Sequence, residues 1–467
     1  MLGLFNTLQM GARALQANQL GVEVTGQNLA NSSNAAYSRQ RVDLETSTPT
    51  PTSLGLQGTG VQVASIQQIR DSMLDGEVRD ESSYGGYWTS QQSALESAQS
   101  QLGEFLNLNA TGSATDSQGI SDEINNLFNS FQNLATSPTS MAQREDVVNQ
   151  AQSLAAGLNQ ASSQLSTLND SLNGSIKDGV TSANQLLSQI AQLNDQIAKA
   201  TITGGTANDL VDTREQDLET LSNLVNIQTT ANADGTVDVS IGGQQLVSGK
   251  NVLDTLQTYD PGNGESLIET ATGGIPLTLA HGSIQGTIDA RDGALQTLRT
   301  GLDTLASSMI MQVNGIYSTG YDLNGNTGQD LFTGTDAATI GVNANLLTDP
   351  SQVQAAGVAG ATGDNAVALQ LAQLGNQSIA GLGNQTFSGA FASQVGSFGF
   401  ALSTANTQVT NSASVASMLQ NQRDSVSGVS IEEEVANLIT FQQAYTASSK
   451  IITTVDQMLS TVVNLKQ

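Results

Sequence analysis

The 467-residue sequence has no cysteine, and that single absence removes disulfides, thiolate zinc sites, iron–sulfur clusters and cysteine nucleophiles together. It has one histidine, His281, whereas a zincin motif needs two and a Ser-His-Asp triad would rest wholly on this residue. Neither a GxxxxGK[ST] phosphate loop nor a GxSxG nucleophile elbow occurs. An enzyme is therefore not expected, and no cofactor or metal is implied. No run approaches the ~18 to 20 consecutive apolar residues of a transmembrane helix. Met1-Leu2-Gly3-Leu4-Phe5-Asn6 lacks the cationic region and unbroken apolar run of a secretory signal. These criteria fit a cytosolic protein, or one that leaves by a route needing no cleaved signal.

Proline (6 residues) and aromatics (4%) are scarce, and charged residues make up 12% against a usual ~25%. Small polar residues and 46 glycines fill the remainder, at a length that suits two to four domains. Thin helical layers, each burying a narrow apolar stripe, suit this composition better than one thick core. The net charge is −27, which disfavours nucleic acid and anionic membrane surfaces as partners. That charge is unevenly spread: residues 1–70 sum to +1, residues 421–467 to −2, and residues 71–420 to −26. Such a layout suits a subunit that assembles through its ends while its acidic middle stays solvated.

Both ends carry helical seams. Leu8, Leu15, Val22 and Leu29 recur every seven residues, with Met1 and Leu4 extending the pattern, which predicts a helix over 4–31. Ile431, Val435, Leu438, Tyr445, Ile452, Val455, Leu459 and Val462 form the second seam, on a helix over 430–465. There Ser430 and Glu432, Glu433 and Glu434 supply a capping residue and three carboxylates at the positive end of the helix dipole. These twelve residues are the expected subunit-assembly seam. A helical hairpin with so little around it is marginal alone, so the ends are expected to be mobile in the monomer and ordered in a polymer.

The middle reads as a rod. A third seam through Leu74, Trp88, Leu95 and Leu102 predicts a helix over 68–107, followed by a small-polar loop over 109–119. A short helix bearing Ile124, Leu127, Phe128, Phe131 and Leu134 stops before Pro138. The longest seam runs from Val147 to Ile197, with a stutter at Leu168, Leu172 and Ile176. At Ile227 the period changes: Asp234-Gly235 is a hairpin signal, and Val237, Val239 and Ile241 alternate with polar residues. Short strands are expected to continue to Ile288. Helix resumes through Leu295, Leu298, Leu302, Leu305, Ile310 and Val313, a Gly- and Asn-rich stretch interrupts at 319–345, and a last internal helix covers 390–421.

The expected fold is mainly α, an elongated coiled-coil helical bundle formed by the N- and C-terminal halves with a small β-rich insertion pointing outwards. Its parts are an N-terminal helical assembly segment (1–67) paired with a C-terminal one (422–467), rod halves over 68–226 and 291–421, and the insertion over 227–290. Asp322-Leu323-Asn324-Gly325-Asn326 opens like a calcium loop, but Thr327 and Thr333 stand where an EF-hand needs Gly and Glu. A surface turn is expected there, and a structural or exposed role for His281. The carboxylates Asp209, Asp212, Glu215, Asp217 and Glu219 around Arg214 read as a solvated helix face.

Asn28-Leu29-Ala30-Asn31, followed by Tyr37-Ser38-Arg39-Gln40, resembles the N-terminal signature of the axial proteins of the bacterial flagellum, the rod, hook and hook-associated proteins. The run from Gly428 through Ile431-Glu432-Glu433-Glu434-Val435 to Tyr445 and Asp456 is similar to the closing helix of that group. Asn208-Asp209-Leu210-Val211-Asp212-Thr213-Arg214 and Gly320-Tyr321-Asp322-Leu323-Asn324-Gly325 narrow the resemblance to the hook-associated protein 1 family, whose members join hook to filament. Ala35-Ala36 stands where the family usually has Pro-Gly. The resemblance implies a non-enzymatic subunit exported through the flagellar type III apparatus without a cleaved signal. It also implies an extracellular place in the flagellum, a ring of identical subunits, contacts with hook protein and other hook-associated proteins, and an export chaperone. A flagellin-like or other hook-associated subunit, or an adhesin carried on a flagellar scaffold, is the alternative.

Overall fold

The computed structural model describes residues 2–52, 55–106, 119–203 and 205–464. Met1 of the N-terminal seam, and all of the expected 109–119 loop except Gly119, lie outside the described residues. The chain opens with α1 (Leu2–Ala30), and β1 (Gln40–Thr46) then pairs antiparallel with β4 (Val61–Gln68). A small pair, β2 (Thr50–Thr52) and β3 (Gly55–Gln57), lies between them. The 1–67 segment is therefore not wholly helical. Val42 and Leu44 of β1 alternate with charged residues and Val61 and Val63 of β4 flank Gln62, a period of two confined to two apolar residues in each strand.

The long helices α2 (Ser72–Leu106), α3 (Ile120–Thr136) and α4 (Met141–Ile202) follow. At 62 residues α4 is about 93 Å long. All ten of its seam residues from Val147 to Ile197 are buried. The stutter has a structural counterpart. Up to Leu172, α4 belongs to one apolar core shared with α2, α3, α7 (Gln296–Tyr317), α9 (Ala366–Leu374) and α10 (Phe387–Ser427). From Ile176 onward it belongs to a second core, shared with α5 (Asn208–Leu224), the β region and α6 (Ser283–Ala290). The change of partners falls within 168–176, where the apolar residues take consecutive four-residue steps.

The β region is a four-stranded antiparallel sheet of β5 (Ile227–Ala231), β6 (Val237–Ile241), β7 (Gln244–Ser248) and β8 (Asn251–Val252), with a hairpin of β9 (Leu256–Tyr259) and β10 (Leu267–Thr270). It does not project outwards but lies along α4, whose asparagines substitute for missing strand partners. Asn194 donates to the carbonyls of Val237 and Gly249, Asn184 donates to Leu256 O and accepts from its N–H, and Asn173 binds Gly264 O and Ser266 N. An amide side chain offers a donor and an acceptor at once, which is what an open strand end lacks. Strands end at Thr270, short of the expected limit. Ser283–Ala290 is helical because Ile284 and Ile288, four residues apart, face one core.

A π-helical turn, Arg291–Leu295, leads into α7. The 318–386 stretch then holds one short strand pair (β11 Phe332–Thr333, β12 Gly341–Val342), α8 (Ala344–Thr348) and α9. The last internal helix, α10, runs to Ser427, so the break before α11 (Ile431–Asn464) falls at 428–430 rather than at 421.

One carboxylate in this core is poorly served. Glu123 lies over Gly157 of α4, where a Cβ would come 2.3 Å from its Oε2, and that oxygen has no partner. Burial, with repulsion from Asp122, pushes its pKa up to about 7 from 4.5. A folded pKa above the unfolded one means that stability is lost as pH rises from about 4.5 to 7. Glu123→Gln is expected to raise the thermal midpoint at pH 8 and leave it unchanged at pH 4. After solvent screening of a half-buried group the gain is about 1 to 2 kcal/mol. Calorimetry at both pH values checks it, and an equal shift at both refutes the titration.

Candidate assembly interface

The first and last helices run antiparallel against each other. Gly11 faces Ile452, Asn18 bonds Ser448, Gly21 faces Phe441 and Asn28 bonds Glu434. Glycines set the spacing: a Cβ at Gly21 would sit 2.5 Å from the Phe441 ring, and one at Gly11 would sit 3.1 Å from Ile452. The contact line therefore runs through Gly11, Asn18, Gly21 and Asn28. The sequence-derived residues Leu8, Leu15, Val22 and Leu29 flank it and are half-buried. On α11, Val455 is buried and Leu438, Ile452 and Leu459 are half-buried, whereas Ile431, Val435, Tyr445 and Val462 are exposed. Apolar periodicity could not find the glycine line, because it weighs side chains and glycine has none. On the other flank of α1, Met10 covers Gly60 and Arg13 donates to Ser47, holding the β1–β4 hairpin.

At the end of this pair lies a polar node centred on buried Asn28 and Glu434. Asn28 is 1% exposed, and its amide donates to Gln40 O (2.8 Å) and Glu434 Oε2 (3.0 Å). Its oxygen accepts from Tyr37 OH (2.8 Å) and Gln40 N (3.0 Å). Glu434, 2% exposed, is paired through its other oxygen with Arg39 Nε at 2.8 Å, and Arg39 also reaches Glu433. The Asn28 and Tyr37-Ser38-Arg39-Gln40 signature is thus a set of groups that satisfy one another across both chain ends. Tyr37 is held protonated, its pKa raised by burial and then by Asp209, Asp212 and Glu434. Asn34, whose carbonyl accepts from Tyr37 N and whose side chain accepts from Ala36 N, forms the turn over Ala35-Ala36.

The node continues into the body of the molecule along α5. Asp209 accepts from Gln27 and Gln40, and Asp212 accepts from Ser38 N and Arg70. Glu215 pairs with Arg79 of α2, and Glu219 with Arg423 of α10. Arg214 donates to Asn194 and Gly235 O. This is not a solvated helix face: Asp212 and Arg214 are buried, and α5 ties α1, the hairpin, α2, α4 and α10 together. Burial raises the Asp212 pKa despite Ser38 and Arg70, and lowers that of Arg214. The acidic spacing along α5 was legible; its partners, more than 130 residues away for Arg70 and Arg79, were not. A polar cavity of about 160 Å³ lies here, lined in part by Tyr37, Arg70, Asp212, Glu219 and Arg423.

The remaining sequence candidates have structural partners. Asp322 is buried, and its carboxylate accepts from Asn324 N and from the backbone and side chain of Asn326, closing a turn. His281 packs edge-on against Tyr84 and Tyr87 of α2. Among the described residues there is no group of three or more side chains able to hold a metal, and no helix long and apolar enough to cross a membrane.

A long helical body whose two ends return to one latched helix pair is the build of a structural assembly subunit. The model of the flagellar hook-associated protein FlgK helical domain matches residues 105–332, and that of the flagellar basal body rod FlgEFG protein C-terminal matches 416–465. Along its whole length the chain is similar to the flagellar hook-associated protein 1 family. It is 28% identical to flagellar hook-associated protein 1 of Bacillus subtilis, with 99% of each chain covered. It is 25% identical to that of Salmonella typhimurium, with 100% of each covered. Its fold is similar to that of the flagellar hook junction protein FlgK from Burkholderia pseudomallei, with a TM-score of 0.63 and 20% identity over 75% of this chain and 100% of that one.

Proposed function

We propose that this chain is a structural, non-enzymatic subunit of the bacterial flagellum at the junction of hook and filament, and that it joins its neighbours through the α1–α11 unit. The observation that carries this reading is the apolar surface left over once α1 and α11 have paired. Ile439, Ile451, Met458 and Val463 of α11 and Phe5 of α1 remain exposed on a segment that is close to electrically neutral. Exposed large apolar side chains gathered on one helix pair suit a contact surface. The assembly unit comprises 1–67 and α11, with the break at 428–430 separating it from the rod. Its neighbours are other copies in a ring, hook protein and other hook-associated proteins. The same reading includes export through the type III apparatus without a cleaved signal, and an export chaperone; the likeness to hook-associated protein 1 supports it.

Ile439→Asp tests the reading. This residue is exposed in the subunit, so the variant is expected to unfold at the parental temperature while failing to enter flagella and to restore swimming. Ile452→Asp is less informative, because Ile452 faces Gly11 within the same chain. Normal swimming by a strain carrying only Ile439→Asp overturns the proposal.

A further inference from the structure

The sequence contains a run without a single Asp, Glu, Lys, Arg or His from 365 to 422, in a chain of net charge −27. Most of it is α10. One stripe of this helix, Phe387, Phe391, Phe398, Leu402, Ala405 and Leu419, is buried against the rest of the chain. The opposite stripe follows the same alternation of four- and three-residue steps: Phe400, Thr404, Thr407, Asn411, Ser414 and Met418. Its two large apolar members are open, Phe400 at 75% and Met418 at 59% exposed, with Val415 beside them. Between them the hydroxyls are already used within the helix. Thr404, Thr407 and Ser414 donate to the carbonyls four residues back, of Phe400, Ser403 and Thr410. Apart from the Asn411 amide, which a partner would have to hydrogen-bond, what the stripe offers outward is therefore largely methyl and methylene groups whose hydroxyl neighbours already donate within the helix.

We propose that this outward face of α10 is a second contact surface, occupied by another copy of this chain; the inference rests on the assembly proposed above. Two observations select a sister copy. Residues 71–420 carry −26, so two such bodies repel wherever their acidic surfaces meet, and a face free of ionisable groups is where they can approach. Only 428–430 separate α10 from α11, so the α10 face continues from the terminal surface through which copies are proposed to join. The stripe from Phe400 to Met418 is about 27 Å long, enough for a helix-on-helix contact.

Photo-crosslinking in assembled flagella separates the possibilities. With p-benzoylphenylalanine replacing Phe400 or, separately, Met418, illumination is expected to give a species of twice the chain mass, in which mass spectrometry finds only peptides of this protein. A crosslink solely to a different flagellar protein, or none, overturns the proposal. The same probe at Ile439 reports the terminal contact. A product at Ile439 with none at Phe400 or Met418 leaves the terminal assembly standing and removes the α10 surface; failure at all three positions removes both. As a second readout, Phe400→Glu with Met418→Glu is expected to lower the number of filaments per cell about tenfold, because carboxylates are placed between like-charged copies. The thermal midpoint is expected to stay unchanged, since both side chains are mostly exposed in the subunit. Parental filament numbers overturn the proposal.

Discussion

Asn28→Leu is expected to cost about 3 kcal/mol in the docking of α1 on α11, and to abolish incorporation. Leucine fits the volume but serves none of the four hydrogen bonds. The Tyr37 hydroxyl and both backbone groups of Gln40 lose their side-chain partner, and Glu434, 2% exposed, keeps Arg39 alone. Stranding buried polar groups, one of them charged, costs more than the bonds contribute when made. Hydrogen exchange is the direct measurement: amides of α1 and α11 should lose protection while those of α4 keep theirs. Undiminished protection in α1 shows that the node is ornamental to the pairing.

The second large effect is expected within the rod. Gly286 of α6 lies against the backbone of α2, and a Cβ there would stand 2.1 Å from the Tyr87 carbonyl oxygen. Gly86 of α2 makes a similar approach to Asn223 O, at 2.3 Å. Backbone cannot rotate aside as a side chain can, so Gly286→Ala must push two helices apart. A loss of about 3 kcal/mol is expected, outweighing the roughly 1 kcal/mol that alanine gains over glycine inside a helix. The hydrogen bond from Tyr87 OH to Asp289, now 2.7 Å, should lengthen with it. Denaturant titration checks the magnitude, and a variant as stable as the parent shows that the crossing can relax.

Which features were legible in the sequence follows a physical line. The α4 seam and the β5–β6 hairpin were plain because leucine, isoleucine and valine at a fixed period carry both the signal and the burial energy. The line along which α1 meets α11 within the chain lies beside the apolar seam, because at Gly11 and Gly21 closeness comes from the lack of a side chain. The Asp209 to Glu219 series was visible as charge but misread as solvated, since Arg70, Arg79 and Arg423 lie far away along the chain. The limit of the β region was missed because Ser283–Ala290 is only 8 residues, too short for its period to stand out. Of the candidate interface, the two helices and their acidic start were readable, and the buried Asn28–Glu434 contact was not.

Asn18 meets Ser448 across a sequence separation of 430 residues, so nearly the whole polypeptide lies in the loop that this meeting closes. Closing it has an entropic cost that grows only slowly with loop length, but it cannot begin until the last helix exists. A chain that stops before Ile431 leaves Gly11, Gly21 and Asn28 with nothing to receive. The glycine-lined groove on the first helix is therefore filled only in a polypeptide translated through α11, which alone presents both halves of the joint.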